Sequence, residues 1–344
     1  MANILNNLRV SAGGADRLVS LAKGRRPGML PLQLYGLVAA SFLFFCTETL
    51  LAEETNNVFL FSFFREPNGQ SGLCLATSKD GLKWTEITAA NGKAFLEPQV
   101  GGKLMRDPCL QRGPDGIFHL VWTTSWGRPP VFGYASSRDL IHWSEQRAIP
   151  VMEQDPKARN VWAPELLFDE AQQQWLIFWA TTIPGKFPET ENSGDNNHRI
   201  YYVATKDFEH FTPTKLFYDG GFNVIDATML AANGRHYLIV KDETKNPVKK
   251  HLRIAEGSRA EGPFGPAGPA ISTDWVEGPT AIKNGNDYYI YFDHYQKPQY
   301  YGAIKSTDLK SWQDVSSLVT FPKGIRHGTV LAVPEKVLQD IQNH

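Results

Sequence analysis

The chain has 344 residues and a net charge of −1, because 35 Lys and Arg residues nearly balance 36 Asp and Glu residues. This balance excludes the basic excess that neutralises a phosphate backbone, so a nucleic-acid partner is not expected. A hydrophobic content of 42% excludes a disordered or collagen-like chain. Nine Trp, 12 Tyr and 20 Phe beside 29 Gly and 22 Pro favour short strands and tight turns, as in an all-β protein.

Residues 1–52 are predicted to be an N-terminal secretory signal region. An uncharged apolar run, LYGLVAASFLFFC, covers residues 34–46, follows several basic residues and is too short to cross a bilayer comfortably. Ala52 suits the position before a cleavage site, although Leu50 is larger than the small residue usual two positions earlier. We therefore expect a mature chain that is secreted or periplasmic and has no stable membrane span. An uncleaved single-helix anchor is the alternative.

Removal of Cys46 with the signal would leave Cys74 and Cys109, which permits one disulfide but does not demand it. Neither residue has a metal-ligand spacing such as CxxC, so two half-buried free cysteines are favoured.

A turn signature recurs along the rest of the chain. The copies are SKDGLKW ending at Trp84, SRDLIHW at Trp143, TKDFEHF at Phe211 and STDLKSW at Trp312. The last interval spans about two repeats, and residues 254–266, rich in Gly and Pro, fit it as a degraded copy containing Phe264. Each copy follows an apolar, strand-like stretch, at 57–64, 116–124, 174–182, 235–242 and 287–295.

Five such units predict an all-β fold, a five-bladed β-propeller over residues 53–344, in which four-stranded antiparallel sheets surround a central channel. A β-sandwich is the structural alternative. After residue 53, a helical period is expected only in the short tail after Pro334.

A second series places one ionisable residue on a short strand of each unit. Its members are RDPCL with Asp107, WAPELLF with Glu165, IDATML with Asp226, EGPTAI with Glu277 and HGTVLA with His327. If these strands are innermost, all five residues converge at one mouth of the channel. Each motif alone can simply start a strand. Four carboxylates crowded beside an imidazole are electrostatically costly, however, and such cost usually marks a functional site.

Converging carboxylates suit glycoside hydrolysis. One carboxylic acid protonates the leaving oxygen, while a carboxylate activates water or attacks the sugar. A third carboxylate can raise the pKa of the acid. Aromatic residues near the motifs could stack on a sugar ring or belong to the blade cores; they are Trp126, Trp162, Phe222, Trp275 and Tyr295, with Trp162 favoured most and Tyr295 least.

The ordered set ArgAspPro, TrpAlaProGlu, ValIleAspAlaThr, GluGlyPro and ArgHisGly resembles the family-43 glycoside hydrolases over residues 56–333. These are five-bladed-propeller arabinosidases and xylosidases. The resemblance implies that Asp107 is the general base, that Asp226 raises the pKa of the acid and orients it, and that Glu277 is the general acid of an inverting enzyme.

The resemblance also implies that Trp162 and Glu165 line the substrate pocket and that His327 lies near an axial Ca²⁺ or its water. No organic cofactor is expected. Together with these three residues, Arg106, Trp126 and Phe222 complete the predicted substrate contacts.

The sequence departs from the family pattern at its first strand, which lacks the usual AspPro. The propeller is therefore expected to close with its N-terminal strands in a rotated register. Residues 65–69 (REPNG) and 106–108 (RDP) also resemble motifs of the retaining fructosidases, but the GluCys acid of those enzymes is missing.

The leading hypothesis is a secreted, exo-acting glycosidase on α-L-arabinofuranosides, β-D-xylosides or related furanosides of plant or microbial polysaccharides. A fructosidase-like retaining glycosidase and a non-catalytic carbohydrate-binding propeller are the alternatives. The long polar loop 184–198 is expected either to wall the pocket or to be a surface insertion.

Overall fold

The computed structural model describes residues 57–67, 69–90, 92–193 and 196–343, all within one unit, Ala52–His344. The predicted signal region lies outside these residues. The first blade contains β1 (Asn57–Phe64), β2 (Cys74–Ser78) and β3 (Thr85–Ile87), and the second contains β4 (Arg106–Arg112), β5 (Phe118–Thr123), β6 (Val131–Ser137) and β7 (Arg147–Pro150). The third blade contains β8 (Trp162–Asp169), β9 (Gln174–Thr182), β10 (His198–Thr205) and β11 (Lys215–Tyr218).

The fourth blade has three strands, β12 (Val224–Ala232), β13 (Arg235–Asp242) and β14 (His251–Gly257). Its outer position is taken by a single bridge from Gly257 to Phe264, in the predicted degraded copy. The fifth blade contains β15 (Val276–Asn284), β16 (Asp287–His294), β17 (Tyr300–Ser306) and β18 (Gln313–Asp314). Short 3₁₀ turns lie at Pro188–Ser193 and Ser316–Leu318.

The last strand, β19 (Arg326–Pro334), pairs antiparallel with β1 and is the innermost strand of the first blade. The innermost strands contact one another in the ring order β19, β4, β8, β12, β15 and back to β19. The prediction of a five-bladed propeller is confirmed, and the rotated closure expected from the first strand is what the structure shows.

Apolar clusters fill the spaces between neighbouring blades. In β1, Val58 and Leu60 face the second blade, while Phe59, Phe61 and Phe63 face the fifth. Successive side chains of a strand point to opposite faces, and each blade is covered on both faces by its neighbours. The second strands therefore read as continuous apolar runs rather than alternating ones.

The turn signature is structural. The Ser78 hydroxyl accepts a hydrogen bond from the Gly81 amide at 2.9 Å, and Asp80 Oδ1 accepts from the next two amides. The same pattern recurs at Ser137 and Asp139, at Thr205 and Asp207, and at Ser306 and Asp308. The four copies thus close the outer turns of four blades and lie away from the channel motifs.

Each innermost strand carries a β-bulge at the same place, where three residue steps oppose two on the second strand. Each bulge places two residues opposite one, and the first of the two has a positive φ in four strands, at Asp107, Ala163, Asp226 and Gly278. Bulges re-aim side chains, and Pro at the next position in three strands needs no ladder hydrogen bond there.

The remaining features agree with the sequence. Cys74 and Cys109 are free and more deeply buried than expected. A helix, α1 (Glu335–Gln342), forms after Pro334 as predicted and buries Leu338 and Ile341. Over the described residues, neither length nor hydropathy qualifies a helix as a membrane span.

Candidate active site

Three of the predicted carboxylates meet in one pocket of about 170 Å³ at a mouth of the channel. Asp107 comes from β4, Asp226 from β12 and Glu277 from β15. His327, from β19, completes the predicted set at this mouth. When the strands are aligned on their bulges, Asp107, Asp226 and His327 occupy the same position and Glu277 lies one position earlier.

Asp107 and His327 form a buried ion pair. His327 Nδ1 lies 3.3 Å from Asp107 Oδ1, and the Thr123 hydroxyl donates to Asp107 Oδ2 at 2.7 Å. Burial acts to raise the pKa of Asp107, but the His327 charge, with help from Arg106 and Thr123, lowers that pKa to about 2. Burial likewise opposes the charge on His327, and the carboxylates around it outweigh burial and raise the pKa of His327 to about 9. At neutral pH the pair is therefore carboxylate and imidazolium.

Asp226 differs from Asp107 in its partners. Its Oδ2 accepts a hydrogen bond from the Gly278 amide at 3.1 Å and lies 4.0 Å from His327 Nδ1. Burial raises the pKa of Asp226 to about 6, and the negative charges of Glu277 and Asp107 act in the same direction. Asp226 therefore retains a proton in mildly acidic solution.

Glu277 is held by a cation at each carboxylate oxygen. Lys241 Nζ lies 3.1 Å from Oε2, and Arg326 Nη2 lies 2.9 Å from Oε1. Burial acts to raise the pKa of Glu277, but these two charges outweigh it and lower the pKa below its usual value. In this state Glu277 is a carboxylate, whereas the role implied for it is that of a proton donor.

The two cations that clamp Glu277, Lys241 and Arg326, belong to a longer series of side chains of alternating charge. Lys241 also lies 2.8 Å from Glu243, which pairs with Lys250. Arg326 pairs with the buried Asp293 and lies 2.9 Å from Glu66. Since each ion in this chain faces an opposite charge, one wall of the pocket is rigid and nearly neutral.

Glu165 does not reach this mouth, so the expectation that all five ionisable residues converge there is wrong for this residue. When the strands are aligned on their bulges, Glu165 lies two positions beyond Asp107 and Asp226, level with Thr228 and Thr329. Its carboxyl accepts hydrogen bonds from those two hydroxyls at 2.6 and 3.5 Å. Burial raises the pKa of Glu165 to about 7. Glu165 borders a separate cavity toward the other end of the inner strands, with Phe168 and Lys283.

The predicted aromatic contacts divide into two groups. Trp126 and Trp162 line the pocket beside Asp107, and Arg106 stacks on Trp126 with the guanidinium 4.3 Å from the ring centroid. Phe222 is instead buried in the apolar cluster between the third and fourth blades. The prediction that Phe222 contacts substrate is not supported by this position, because the Phe222 ring packs between the two blades and does not line the pocket.

The loop 184–198 is anchored rather than free at its base. The fully buried Arg199 pairs with Asp219 and donates to the Thr190 hydroxyl at 2.8 Å. The His198 ring lies 5.0 Å from the Trp162 ring, so the end of the loop adjoins an aromatic residue of the pocket. The loop's role as a pocket wall stays a prediction.

The axial calcium implied by the resemblance stays a prediction. Among the described residues, no group of three or more His, Cys, Asp and Glu side chains is arranged as a metal site. The roles proposed below are those of the side chains alone.

Sequence reasoning missed the cations that bind Glu277. Lys241 lies on the second strand β13 and faces Ile225, just as Thr123 faces Arg106 and Asp293 faces Glu277 in their blades. Its signal was a Lys that ends the apolar run of the strand, directly before Asp242, in RHYLIVKD. Arg326 was visible beside His327 in the ArgHisGly motif.

Comparison with known proteins agrees with this fold. Residues 54–338 match the family 43-related model described as a probable glycosyl hydrolase domain. An α-L-arabinofuranosidase of Bifidobacterium longum is 25% identical over 205 residues, which is 53% of this chain and 19% of that protein. The crystal structure of a thermostable family-43 glycoside hydrolase superposes with a TM-score of 0.50 and 18% identity, covering 64% of this chain and 74% of that one.

A five-bladed propeller with carboxylates gathered at one mouth of the channel is the arrangement of the glycosidase-type propellers, and this chain has that arrangement. The chain belongs to the glycoside hydrolase family 43-related family, since the match spans most of its length. The family resemblance and the prediction of a glycosidase are thus confirmed at the level of the family. The chain spans about a fifth of the curated relative that it matches, and the solved structure supports the fold alone.

Proposed function

We infer that the chain is a secreted, exo-acting and inverting glycosidase on α-L-arabinofuranosides, β-D-xylosides or related furanosides of plant or microbial polysaccharides. The observation that carries this proposal is the convergence of Asp107, Asp226 and Glu277 on one pocket. The pocket volume of about 170 Å³ equals roughly six waters of liquid, which suits one sugar unit rather than a chain. Secretion is supported by the apolar run behind basic residues near the N-terminus.

The geometry supports the predicted base more strongly than the predicted acid. Asp107 is ionised, so it can accept a proton from water as the water oxygen bonds to the anomeric carbon. The leaving oxygen takes a proton from the Asp226–Glu277 pair as the glycosidic bond breaks. Asp226 already holds a proton below about pH 6, whereas Glu277 must loosen its contacts with Lys241 or Arg326 to carry one. Glu277 as the general acid stays a prediction.

Inversion is supported by strand order. The base is on β4 and the predicted acid is on β15, with β19 between them in the ring. Two carboxyl groups on non-adjacent strands leave room for a water between one of them and the sugar. Proton NMR of the first-formed product anomer tests this, and retention of configuration would contradict it.

One observation favours a second candidate, a carbohydrate-binding propeller without turnover. The paired cations keep Glu277 ionised, which suits a hydrogen-bond acceptor for sugar hydroxyls as well as a resting catalyst. The complete set of three carboxylates argues for the enzyme.

Hydrolysis of aryl glycosides separates the two candidates. The chain from about residue 53 and its Glu277→Gln variant are compared on α-L-arabinofuranoside, β-D-xyloside, β-D-galactofuranoside and β-D-fructofuranoside substrates. We expect cleavage of an arabinofuranoside or xyloside that depends on Glu277. Cleavage of the fructofuranoside alone would support the fructosidase-like alternative. Binding of a glycan without cleavage of it would support the binding module.

A further inference from the structure

A second pair of aromatic rings lies on the Glu277 side of the pocket. Trp275 directly precedes β15, two residues before Glu277, and is 37% exposed. Its ring meets the Tyr295 ring edge to face, with centroids 6.2 Å apart. The Tyr295 ring covers Lys241 Nζ at 4.6 Å, and Lys241 binds Glu277. The two rings therefore continue the wall that carries Glu277.

The backbone at Trp275 is in an unfavourable conformation for a large side chain. Its φ is 65°, in the left-handed region that glycine adopts freely and aromatic residues rarely do. Among the described residues, the five apolar clusters do not include Trp275, so blade packing does not explain its ring. An exposed aromatic side chain kept on a strained backbone is a feature found at ligand sites.

The position of the base indicates which part of a substrate would meet these rings. An inverting glycosidase places base and acid on opposite faces of the sugar, and the leaving group departs on the acid's side. Trp126 and Trp162 line the pocket near Asp107, whereas Tyr295 contacts the Lys241 that binds Glu277, and Trp275 contacts Tyr295. The leaving group is thus directed toward the second pair.

We propose that Trp275 and Tyr295 form the binding subsite for the leaving-group sugar, a neutral pentose or hexose ring of the polysaccharide to which the cleaved unit is attached. This rests on the proposed function, because it needs the acid on the Glu277 side. Flat aromatic faces bind the C–H face of a sugar and leave its hydroxyls in water. A methyl leaving group is too small to reach them.

The test compares two substrates of one glycone, methyl α-L-arabinofuranoside and an α-L-arabinofuranosyl xylotriose. Trp275→Ala is expected to lower kcat/KM about tenfold on the oligosaccharide, the size of one lost ring contact, and less than about twofold on the methyl glycoside. Trp275→Phe should restore most of the loss. Trp126→Ala, the matched variant on the other wall, should affect both substrates alike. Equal effects of Trp275→Ala on the two substrates would overturn the proposal.

Two further measurements keep the proposal independent of folding defects and of turnover. Trp275→Gly should unfold at a temperature equal to or above that of the wild type, because glycine relieves the backbone, while losing oligosaccharide activity as Trp275→Ala does. If none of the aryl glycosides above is cleaved, the proposed function fails separately, and calorimetric titration with xylotriose decides the subsite. Weaker binding to Trp275→Ala than to wild type supports it, and equal binding overturns it.

Discussion

Asp107 and Glu277 line the same pocket and have different partners, so replacing each in turn tests its chemical role. Asp107→Asn and Glu277→Gln should each lower kcat/KM by about 10²- to 10⁴-fold, the usual contribution of a general acid or base. Each amide keeps one acceptor oxygen and turns an NH2 donor toward the second partner, so rates are compared at a temperature where both variants are folded. Asp340→Asn, on the exposed face of α1, is the matched control. Rates near wild type in either pocket variant would refute the assignment.

Lys241 connects the clamp on Glu277 to the pH dependence of the reaction. Its positive charge lowers the pKa of both Glu277 and Asp226, so Lys241→Met should raise both. A carboxyl with a higher pKa keeps its proton to higher pH, so the alkaline limb of the kcat profile should move upward. Lys241→Arg, which keeps the charge, should return the limb toward wild type. An unmoved limb in Lys241→Met would show that Lys241 does not control the donor.

The Asp107–His327 pair makes folding stability depend on pH. The pKa of His327 is raised from 6.5 to about 9, so its stabilising contribution is complete below pH 6.5 and is lost as pH rises through 9. The pKa of Asp107 is lowered, and its contribution disappears as pH falls from 3.8 through about 2. The unfolding temperature of the wild type should therefore drop between pH 7 and 9.5 more than that of His327→Gln. Parallel curves would contradict the ion pair.

At the scale of the strand, the bulges carry a measurable cost. Ala163 has a φ of 47°, in the left-handed region, and occupies the bulge position where Gly278 stands in the fifth blade. Ala163→Gly should stabilise the protein by up to about 1 kcal/mol, because glycine adopts this conformation without strain. Ala227→Gly, in the bulge of β12 but without a positive φ, should instead destabilise by about 0.5–1 kcal/mol. Urea unfolding measures both, and the same sign for the two would contradict the strain argument.

The elements show what the sequence could and could not reveal. Three apolar stretches, 57–64, 174–182 and 235–242, coincide with whole strands, because a strand covered on both faces is continuously apolar. The bulge was invisible, because one extra unpaired residue leaves no mark on the apolar pattern. Glu165 was placed with Asp107 because both stand beside a Pro, but Glu165 follows Pro164 whereas Asp107 precedes Pro108, so Glu165 lies deeper in the channel. The contact of Lys241 with Glu277 was not predicted, because the two residues are 36 positions apart and lie on different blades.

At the scale of the whole molecule, α1 seals the contact between the first and second blades. Leu338 is buried in that cluster, beyond the end of β19 that is opposite to Arg326 and His327. Leu338→Ala should cost about 2–4 kcal/mol in unfolding free energy, as for other buried leucines, and leave kcat/KM within about twofold. Lys336→Ala, on the exposed side of α1, serves as control. A loss of activity at temperatures where Leu338→Ala is folded would mean that α1 influences the pocket.

Because β19 pairs with β1 to close the propeller, the pocket is completed only after β19 has been synthesised. Arg326 and His327 emerge after every other residue of the site, and the strand that carries them is also the one that closes the ring. A nascent or shortened chain lacking this strand would present Glu277 without one of its cations and Asp107 without its imidazolium. Hydrolysis would then begin only after β19 has closed the ring of blades, so activity would indicate that the chain has been synthesised through this strand and has folded.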